Sequence, residues 1–187
     1  MLKLLGYLIP LAAISLIIYF LNSPKSPSPV PFSSQSRLLP ICDVKPGSVH
    51  DGDTIRVSCN GVELRIRFAC IDAPELRQEQ GIASRDYLRS LLSQAGNRLR
   101  VKVVDRDRYG RTVAELYTDA GLVQLQQVKA GWVWANFRYK DKCSQWNAIY
   151  SGEQEARQAQ RGIWAGNPMP PWEWRRRRRT TRETRFL

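Results

Sequence analysis

The stretch VHDGDTIRVSCNGVELRIRFACIDAPE, residues 49–75, decides the fold of this 187-residue chain. Its polar and apolar residues alternate around the turn sequences VHDGD and CNGV. An Asp-Gly or Asn-Gly pair between two alternating runs is a strong signal for a β-hairpin. The pattern therefore predicts three consecutive antiparallel strands, over residues 41–49, 53–59 and 62–71.

The residues that follow switch between helical and strand periodicity. Helical spacing after Gly81 puts four apolar residues on one face, namely Ile82, Leu88, Leu91 and Leu92. Residues 99–104 and 112–118 return to strand alternation, and residues 122–130 and 146–161 predict two further helices that end at glycine. Five strands with a helix between the third and fourth predict a mainly β fold with α elements. We expect a five-stranded OB-fold barrel with three helices, an architecture that binds nucleic acid.

The N-terminal region indicates membrane targeting. Residues 4–21 contain no charged side chain, and this length suits a bilayer-spanning helix. Tyr19, Phe20 and Leu21 occupy the end of the stretch, where a cleavage site would have small residues. We therefore expect an uncleaved signal anchor over residues 1–22, with a cleaved signal peptide as the alternative. Either would leave the rest of the chain membrane-anchored or secreted, on the extracytoplasmic side.

The composition flanking the predicted barrel differs from that of the barrel. Residues 23–40 are rich in Ser and Pro and predict a linker, whereas residues 41–165 have the composition of a globular domain. Residues 166–187 contain a Trp/Pro segment followed by an Arg-rich tail. Such an arginine run is usually a solvated arm, and its functional interpretations are retention of nucleic acid or binding to anionic lipid. The sequence does not decide between these two functions.

The charge of the chain favours a polyanionic partner. The sequence has 29 Lys and Arg residues against 17 Asp and Glu residues, a net charge of +12. Residues 175–187 alone carry seven Arg and one Glu, which is half of that excess. The predicted barrel is therefore only mildly basic, and its chemistry has to be sought in particular residues.

The cysteines form an even set downstream of the predicted export signal: Cys42, Cys59, Cys70 and Cys143. Disulfides are expected in that setting. If the first hairpin turns at Asp51-Gly52, Cys42 and Cys59 lie about equally far from the turn and face each other. That pairing leaves Cys70 with Cys143. The alternative is four reduced cysteines in a cytosolic domain.

Two acidic clusters lie at the ends of neighbouring predicted strands. Asp53 begins the second strand, and Asp72 and Glu75 follow the third. Because antiparallel neighbours bring the start of one strand beside the end of the other, the three carboxylates can converge. An all-oxygen pocket suits Ca²⁺ or Mg²⁺. His50 is the single histidine of the chain, which excludes a catalytic histidine pair or a multi-histidine zinc site.

Two arginines accompany these carboxylates. Arg67 precedes Asp72 by five residues, and Arg111 closes the loop DRDRYGR at residues 105–111. Guanidinium groups bind phosphate oxygens through two parallel hydrogen bonds and stay charged at all physiological pH values. A metal, a carboxylate and two arginines are sufficient to hydrolyse a phosphodiester bond without histidine.

The motifs VHDGDTIRV, LRIRFACIDAPE and DRDRYGRTVAELY, followed by VKAGWVW and EARQAQRGIW, resemble the staphylococcal nuclease (thermonuclease) family in order and spacing across residues 41–165. The resemblance implies an OB-fold nuclease that cleaves DNA or RNA in a Ca²⁺-dependent reaction and leaves 3′-phosphate ends. It also implies an enzyme of the endonuclease type, which we expect to be a monomer.

The resemblance further implies roles for individual residues. Asp53 and Asp72 correspond to the metal carboxylates, with the backbone carbonyl of Ala73 as a further ligand. Glu75 corresponds to the general base. The phosphate arginines are Arg67 and Arg111, and the residues at the substrate-binding positions are Tyr109, Phe137 and Tyr139. Ala73 and Phe137 replace a Thr and a nucleotide-stacking Tyr; Ala73 keeps the backbone carbonyl, and Phe137 can still stack but cannot donate a hydrogen bond. The loop after Glu75 is shorter than in the best-known member, so the substrate preference of that member does not carry over.

Two other interpretations compete with this one. Asp51 and Asp53 could be turn formers around Gly52, since Asp-Gly pairs favour hairpins. The domain could also be a non-catalytic OB-fold module that binds nucleic acid through the same groove. A module that has lost catalysis should lack at least one of the five charged site residues, and this chain has them all: Asp53, Arg67, Asp72, Glu75 and Arg111.

Overall fold

A computed structural model describes residues 39–183 of the chain. The predicted signal anchor over residues 1–22 and nearly all of the predicted linker lie outside this range. Within residues 39–183, no helix combines the length and apolar character needed to cross a bilayer.

The described chain contains eight strands and four α-helices. The strands are β1 (Ile41–Val44), β2 (Thr54–Cys59), β3 (Val62–Phe68), β4 (Ile71–Asp72), β5 (Arg98–Arg106), β6 (Thr112–Thr118), β7 (Gly121–Leu122) and β8 (Trp134–Ala135). The helices are α1 (Gly81–Gln94), α2 (Val123–Lys129), α3 (Trp146–Gln158) and α4 (Pro171–Glu183), with short 3-10 helices at Phe137–Lys142 and Gly162–Ala165.

Five strands close into a barrel, as the sequence predicts. Strand β1 pairs with β2 and β5, β2 pairs with β3, and β5 pairs with β6, all antiparallel. The parallel pairing of β3 with β6 closes the barrel. Its interior is filled by fully buried side chains such as Ile55, Ile66 and Phe68. Closure gives each of the five barrel strands a barrel neighbour on both edges and leaves the loops at the barrel end to form a site.

The first and third strands are shorter than predicted. Strand β1 ends at Val44 rather than at residue 49, because the chain turns at Pro46-Gly47, where Gly47 has a φ of 68°. Strand β3 ends at Phe68 because Cys70 has a left-handed φ of 71°, which turns the chain away from the barrel. Residues 71–72 then form β4, which pairs with β8 instead of with the barrel.

The helices also depart from the prediction in detail. Ile82 was expected on the apolar face of α1 but is 58% exposed, and the buried face runs through Ser84, Leu88 and Leu92. Helix α3 ends at Gln158 rather than at residue 161, since Gln160 has a φ of 50°. Helix α4 was not predicted, and the expected solvated arm is helical through residue 183.

Both predicted disulfides are present. Cys42 and Cys59 are register partners on β1 and β2, with a Cα separation of 4.4 Å. Cys70 and Cys143 are bonded across a Cα separation of 5.9 Å. The second disulfide ties the end of β3 to the residues that follow the 3-10 helix Phe137–Lys142.

Candidate active site

Strand pairing brings the predicted acidic residues to one end of the barrel. Thr54, at the start of β2, is the register partner of Arg67 on β3, and the Phe68 amide donates to the Asp53 carbonyl over 2.8 Å. The left-handed turn at Cys70 then directs β4 past this point, so that Asp72 follows close by. The start of one strand and the continuation of its neighbour therefore bring two aspartates together.

Asp53 is held by a set of local hydrogen bonds. Its side chain is 3% exposed, and one carboxylate oxygen accepts the Ala73 amide over 2.6 Å while the other accepts the Thr54 hydroxyl over 3.1 Å. The preceding Gly52 carbonyl accepts from the buried side-chain amide of Gln127 at 2.6 Å. These bonds fix the carboxylate in one orientation, which a metal ligand or an ion-pair partner requires.

Asp51 lies beside this carboxylate and also faces the site. Its side chain accepts the Asp53 amide over 3.1 Å. Burial raises the pKa of the Asp51 carboxyl above its usual value, and the opposing attraction of Arg67 does not offset the burial. Asp51 is thus a half-buried acid of the site as well as a turn residue.

Arg67 bridges the two buried aspartates. Its guanidinium contacts the Asp53 carboxylate and donates to Asp72 Oδ1 over 2.6 Å. The Arg67 side chain is only 12% exposed, and that of Asp72 is 3% exposed. Buried carboxylates at this separation repel each other unless a cation lies between them, and Arg67 supplies that cation.

A second arginine, from the predicted tail, also reaches the carboxylates. Arg175 on α4 donates from Nη2 to Asp72 Oδ2 over 2.7 Å and from Nη1 to Glu75 Oε1 over 2.8 Å. Burial alone would lower the pKa of Arg175, but the hydrogen bonds and attraction of Asp72 and Glu75 outweigh it and raise the pKa. Arg175 is therefore a permanent cation within the acidic site.

Arg111 is positioned by its own loop. Its Nε donates to Asp107 over 2.7 Å, and its backbone amide donates to the same carboxylate over 2.9 Å. Burial of Asp107 alone would raise the pKa of its carboxyl, but the hydrogen bonds from Arg111 and Tyr109 lower it. The guanidinium groups of Arg108 and Arg111 lie 4.9 Å and 5.7 Å from the centre of the exposed Tyr109 ring.

These groups line one cleft of about 420 Å³. The lining includes eight of the nine residues predicted to act in the site: Asp53, Arg67, Asp72, Ala73, Glu75, Tyr109, Arg111 and Tyr139. Phe137 is not part of this lining. Its 61% exposed ring packs edge-on against Trp146 and Tyr150, at centroid distances of 4.9 Å and 5.6 Å.

The electrostatic character of the cleft suits a polyanion. Five carboxylates and seven arginines line it, so its formal charge is positive although acidic groups occupy its floor. The arginines are Arg65, Arg67, Arg108, Arg111, Arg138, Arg175 and Arg179. Phosphate oxygens would find guanidinium partners on several sides of this cleft.

The donor set also fits a hard divalent cation. Asp53 and Asp72 offer carboxylate oxygens and Ala73 a carbonyl oxygen, which Ca²⁺ and Mg²⁺ prefer as ligands. Both carboxylates are almost fully buried, and a buried carboxylate needs a positive partner. Among residues 39–183, the group of three acidic or sulfur side chains whose ligand atoms all lie within 4.8 Å of one another is Cys70, Glu115 and Cys143, and its two sulfurs are bonded to each other.

Among the cleft residues to which sequence reasoning did not assign a role are Asp107, Arg175 and Arg179. In the sequence, Asp107 stands out only as part of the loop that carries Arg111. It lies four residues before Arg111, a separation at which two side chains of one loop can form an ion pair. Arg175 and Arg179 were assigned to the tail. No spacing signal connects Arg175 with Asp72, which lies 103 residues earlier.

Comparisons with known proteins show the family to which the chain is similar. The model of the family described as staphylococcal nuclease homologue matches residues 65–166, a span that includes Arg67, Asp72, Glu75 and Arg111 and begins after Asp53.

Three relatives show the range of similar proteins. An Escherichia coli protein described as an uncharacterized endonuclease is 39% identical over 132 residues, which cover 70% of this chain and 82% of the relative. A Shigella flexneri micrococcal nuclease is 38% identical over 136 residues, covering 67% of this chain and 76% of the relative. A probable staphylococcal-like nuclease of Oryza sativa subsp. japonica is 39% identical over 133 residues, covering 68% of this chain and 34% of the relative.

Proposed function

This chain belongs to the staphylococcal nuclease family, and from that premise we propose that it is a Ca²⁺-dependent phosphodiesterase that hydrolyses DNA or RNA and leaves 3′-phosphate ends. The chain is a nuclease, because its family is one of nuclease homologues and its relatives are named nucleases. The metal, the product ends and the cellular location are the parts that the proposal adds.

One observation supports the proposal above the others: five charged residues predicted to act together line a single cleft. Asp53, Asp72 and Glu75 supply three carboxylates, and Arg67 and Arg111 supply two guanidinium groups. Turn formation alone would not require Asp53 to be 2% exposed and bonded to the Ala73 amide. The interpretation of Asp53 as a mere turn former is therefore disfavoured.

Each of these cleft residues has a proposed role in the reaction. Asp53, Asp72 and the Ala73 carbonyl would hold Ca²⁺, which when bound polarises a phosphoryl oxygen of the scissile group. Glu75 has a side chain that is 34% exposed, so it can meet water, orient it for in-line attack on phosphorus and accept its proton. Arg67 and Arg111 neutralise the charge that develops on the phosphoryl oxygens.

The direction of cleavage determines the products. Attack by water in line with the 5′ oxygen breaks the bond between phosphorus and that oxygen. The phosphate then remains on the 3′ side, and the leaving fragment carries a 5′ hydroxyl. Tyr109 and Tyr139 line the same cleft and are proposed to contact the bound nucleotide. A substrate contact by Phe137 stays a prediction.

Substitution of the proposed base tests the mechanism. The full-length chain, purified in mild detergent, should degrade single-stranded DNA and RNA in millimolar Ca²⁺ and stop in excess EDTA. Glu75→Gln should lower the rate by about 10² to 10⁴-fold, the range typical of a general base. Glu155→Gln, an equal change at an exposed position of α3, should leave the rate unchanged.

The outcomes separate the hypotheses. Undiminished activity in EDTA would contradict the metal mechanism. Binding of nucleic acid without cleavage, in the wild type and in the presence of Ca²⁺, would favour the non-catalytic module instead. Product ends that accept polymerase extension before phosphatase treatment would contradict the 3′-phosphate assignment.

We also propose that the domain acts on the extracytoplasmic side, membrane-anchored or secreted. Two disulfides and no free cysteine among residues 39–183 support this location, since such bonds persist in oxidising compartments. Fractionation of cells that express the full-length chain, followed by protease treatment of intact cells, tests the proposal. Protection of the domain from added protease would contradict it.

A further inference from the structure

Helix α4 is docked beside the acidic cleft by contacts outside its arginine run. The Gln78 side-chain amide donates to the Met169 carbonyl just before the helix. Trp172, in the first turn, lies with its ring centre 6.5 Å from that of Trp134. Trp134 is in turn the register partner of Asp72, so the helix begins next to this aspartate.

Within this docked helix, one arginine engages both Asp72 and Glu75 in the cleft. Arg175 donates to Asp72 Oδ2 over 2.7 Å, to Asp72 Oδ1 over 3.2 Å and to Glu75 Oε1 over 2.8 Å. Arg67 already donates to Asp72 Oδ1. Because a carboxylate has about four lone-pair positions, these contacts take three of the four on Asp72.

The two arginines differ in how easily they can leave. The Arg67 side chain is 12% exposed and lies within the barrel end, whereas the Arg175 side chain is 34% exposed and belongs to α4, outside the barrel. Helix α4 also carries like charges at successive positions, Arg175 through Arg179, which repel one another. Arg175 is thus the cation that can be exchanged.

We propose that Arg175 is a tethered cation that competes with the divalent metal for Asp72 and Glu75, so that α4 is an autoinhibitory segment. The inference rests on the proposed function, in which Asp72 is a metal ligand and Glu75 the base. While Arg175 is docked, Asp72 has few lone pairs left to bind a metal, and Glu75 accepts a hydrogen bond from a guanidinium instead of from water. Metal binding and Arg175 docking therefore oppose each other, and by linkage each weakens the other equally.

Calcium binding measured without nucleic acid tests the competition apart from activity. Isothermal titration calorimetry of the full-length chain in detergent should give a Ca²⁺ dissociation constant at least tenfold lower for Arg175→Gln than for wild type. Arg176→Gln removes the same charge from an exposed position of the same helix and should stay within twofold of wild type. Arg175→Lys keeps the charge without the planar fork and should fall between the two.

Thermal unfolding gives a second measurement, in which Arg175→Gln should lower stability in the absence of metal although it increases the affinity for Ca²⁺. In EDTA, Arg175→Gln should unfold at a lower temperature than wild type, because Asp72 and Glu75 lose a positive partner. Added Ca²⁺ should raise the unfolding temperature of Arg175→Gln by more than it raises that of wild type. Should Arg175→Gln not fold, the affinity of Arg175→Lys relative to wild type decides the question.

The results distinguish this inference from the proposed function. If wild type binds Ca²⁺ and Arg175→Gln binds it equally or more weakly, the tethered-cation inference is overturned and the nuclease mechanism stands. If neither protein binds Ca²⁺, the calcium assignment and the inference both fail. Tighter binding by Arg175→Gln together with unchanged binding by Arg176→Gln supports the inference.

Discussion

Removal of the two disulfides should destabilise the domain unequally. The Cys70–Cys143 bond joins residues 73 positions apart, whereas the Cys42–Cys59 bond joins residues 17 positions apart. In the unfolded chain a bond that closes a longer loop removes more conformational entropy. The longer loop should therefore contribute more to the free energy of unfolding.

The structure permits a matched comparison of the two bonds. Each contains one fully buried cysteine, Cys42 or Cys70, and one partly buried partner. Replacing either pair by alanine thus loses a similar amount of packing, and the remaining difference reports loop length. The chain-entropy relation gives about 3.2 kcal/mol for the short loop and about 4.4 kcal/mol for the long loop. The expected difference is about 1.2 kcal/mol.

Urea unfolding at 25 °C measures this difference. With an m-value of about 2 kcal/mol per molar for a domain of this size, the midpoint of Cys70→Ala/Cys143→Ala should lie about 0.6 M below that of Cys42→Ala/Cys59→Ala. The wild type should titrate no free thiol between residues 39 and 183. Equal midpoints, or a larger loss for the short-loop pair, would refute the loop-entropy reasoning.

Three further predictions follow from local contacts. Gly81→Ala should lower both stability and nuclease rate, because the new Cβ would lie 2.0 Å from the Glu75 carbonyl oxygen; a normal rate would contradict this. Asp107→Asn should lower the nuclease rate about tenfold while the unfolding temperature changes little, since Arg111 loses its ionic partner. Burial raises the pKa of Tyr117 from 10.0 to about 12, so the stabilisation it provides is present below pH 10 and is lost as pH rises to about 12. Tyr117→Phe should flatten the dependence of unfolding free energy on pH in this window, and an unchanged slope would contradict the assignment.

The barrel could be predicted from sequence because the sequence patterns that determine its strands and turns are local. Alternation over residues 53–59 and the turn at Asn60-Gly61 determine the β2–β3 hairpin, whose register pairs Cys59 with Val62. Strand ends were predicted less well. The left-handed conformation of Cys70, which releases β4 to pair with β8, is a response to tertiary packing and has no local sequence signal.

The site was predictable to the extent that it lies on paired strands. Asp53 and Arg67 are brought together by the β2–β3 register, which the hairpin turn specifies. Arg175 was missed for a different reason. Its contact with Asp72 depends on the docking of Trp172 against Trp134, and neither the helix nor this aromatic contact follows from periodicity in an arginine run.

The charge balance of the site supports the proposed exchange between Arg175 and a divalent cation. Asp53, Asp72 and Glu75 carry three negative charges, and Arg67 and Arg175 carry two positive charges. The cluster therefore has a net charge of −1 while α4 is docked. A divalent ion in place of Arg175 would make the same cluster neutral. Because buried charge is costly when it is not balanced, this difference favours the metal once its concentration is sufficient. Under the proposed competition, Arg175 would limit the repulsion among the carboxylates in the absence of metal, and its weaker charge compensation would allow a divalent metal to replace it.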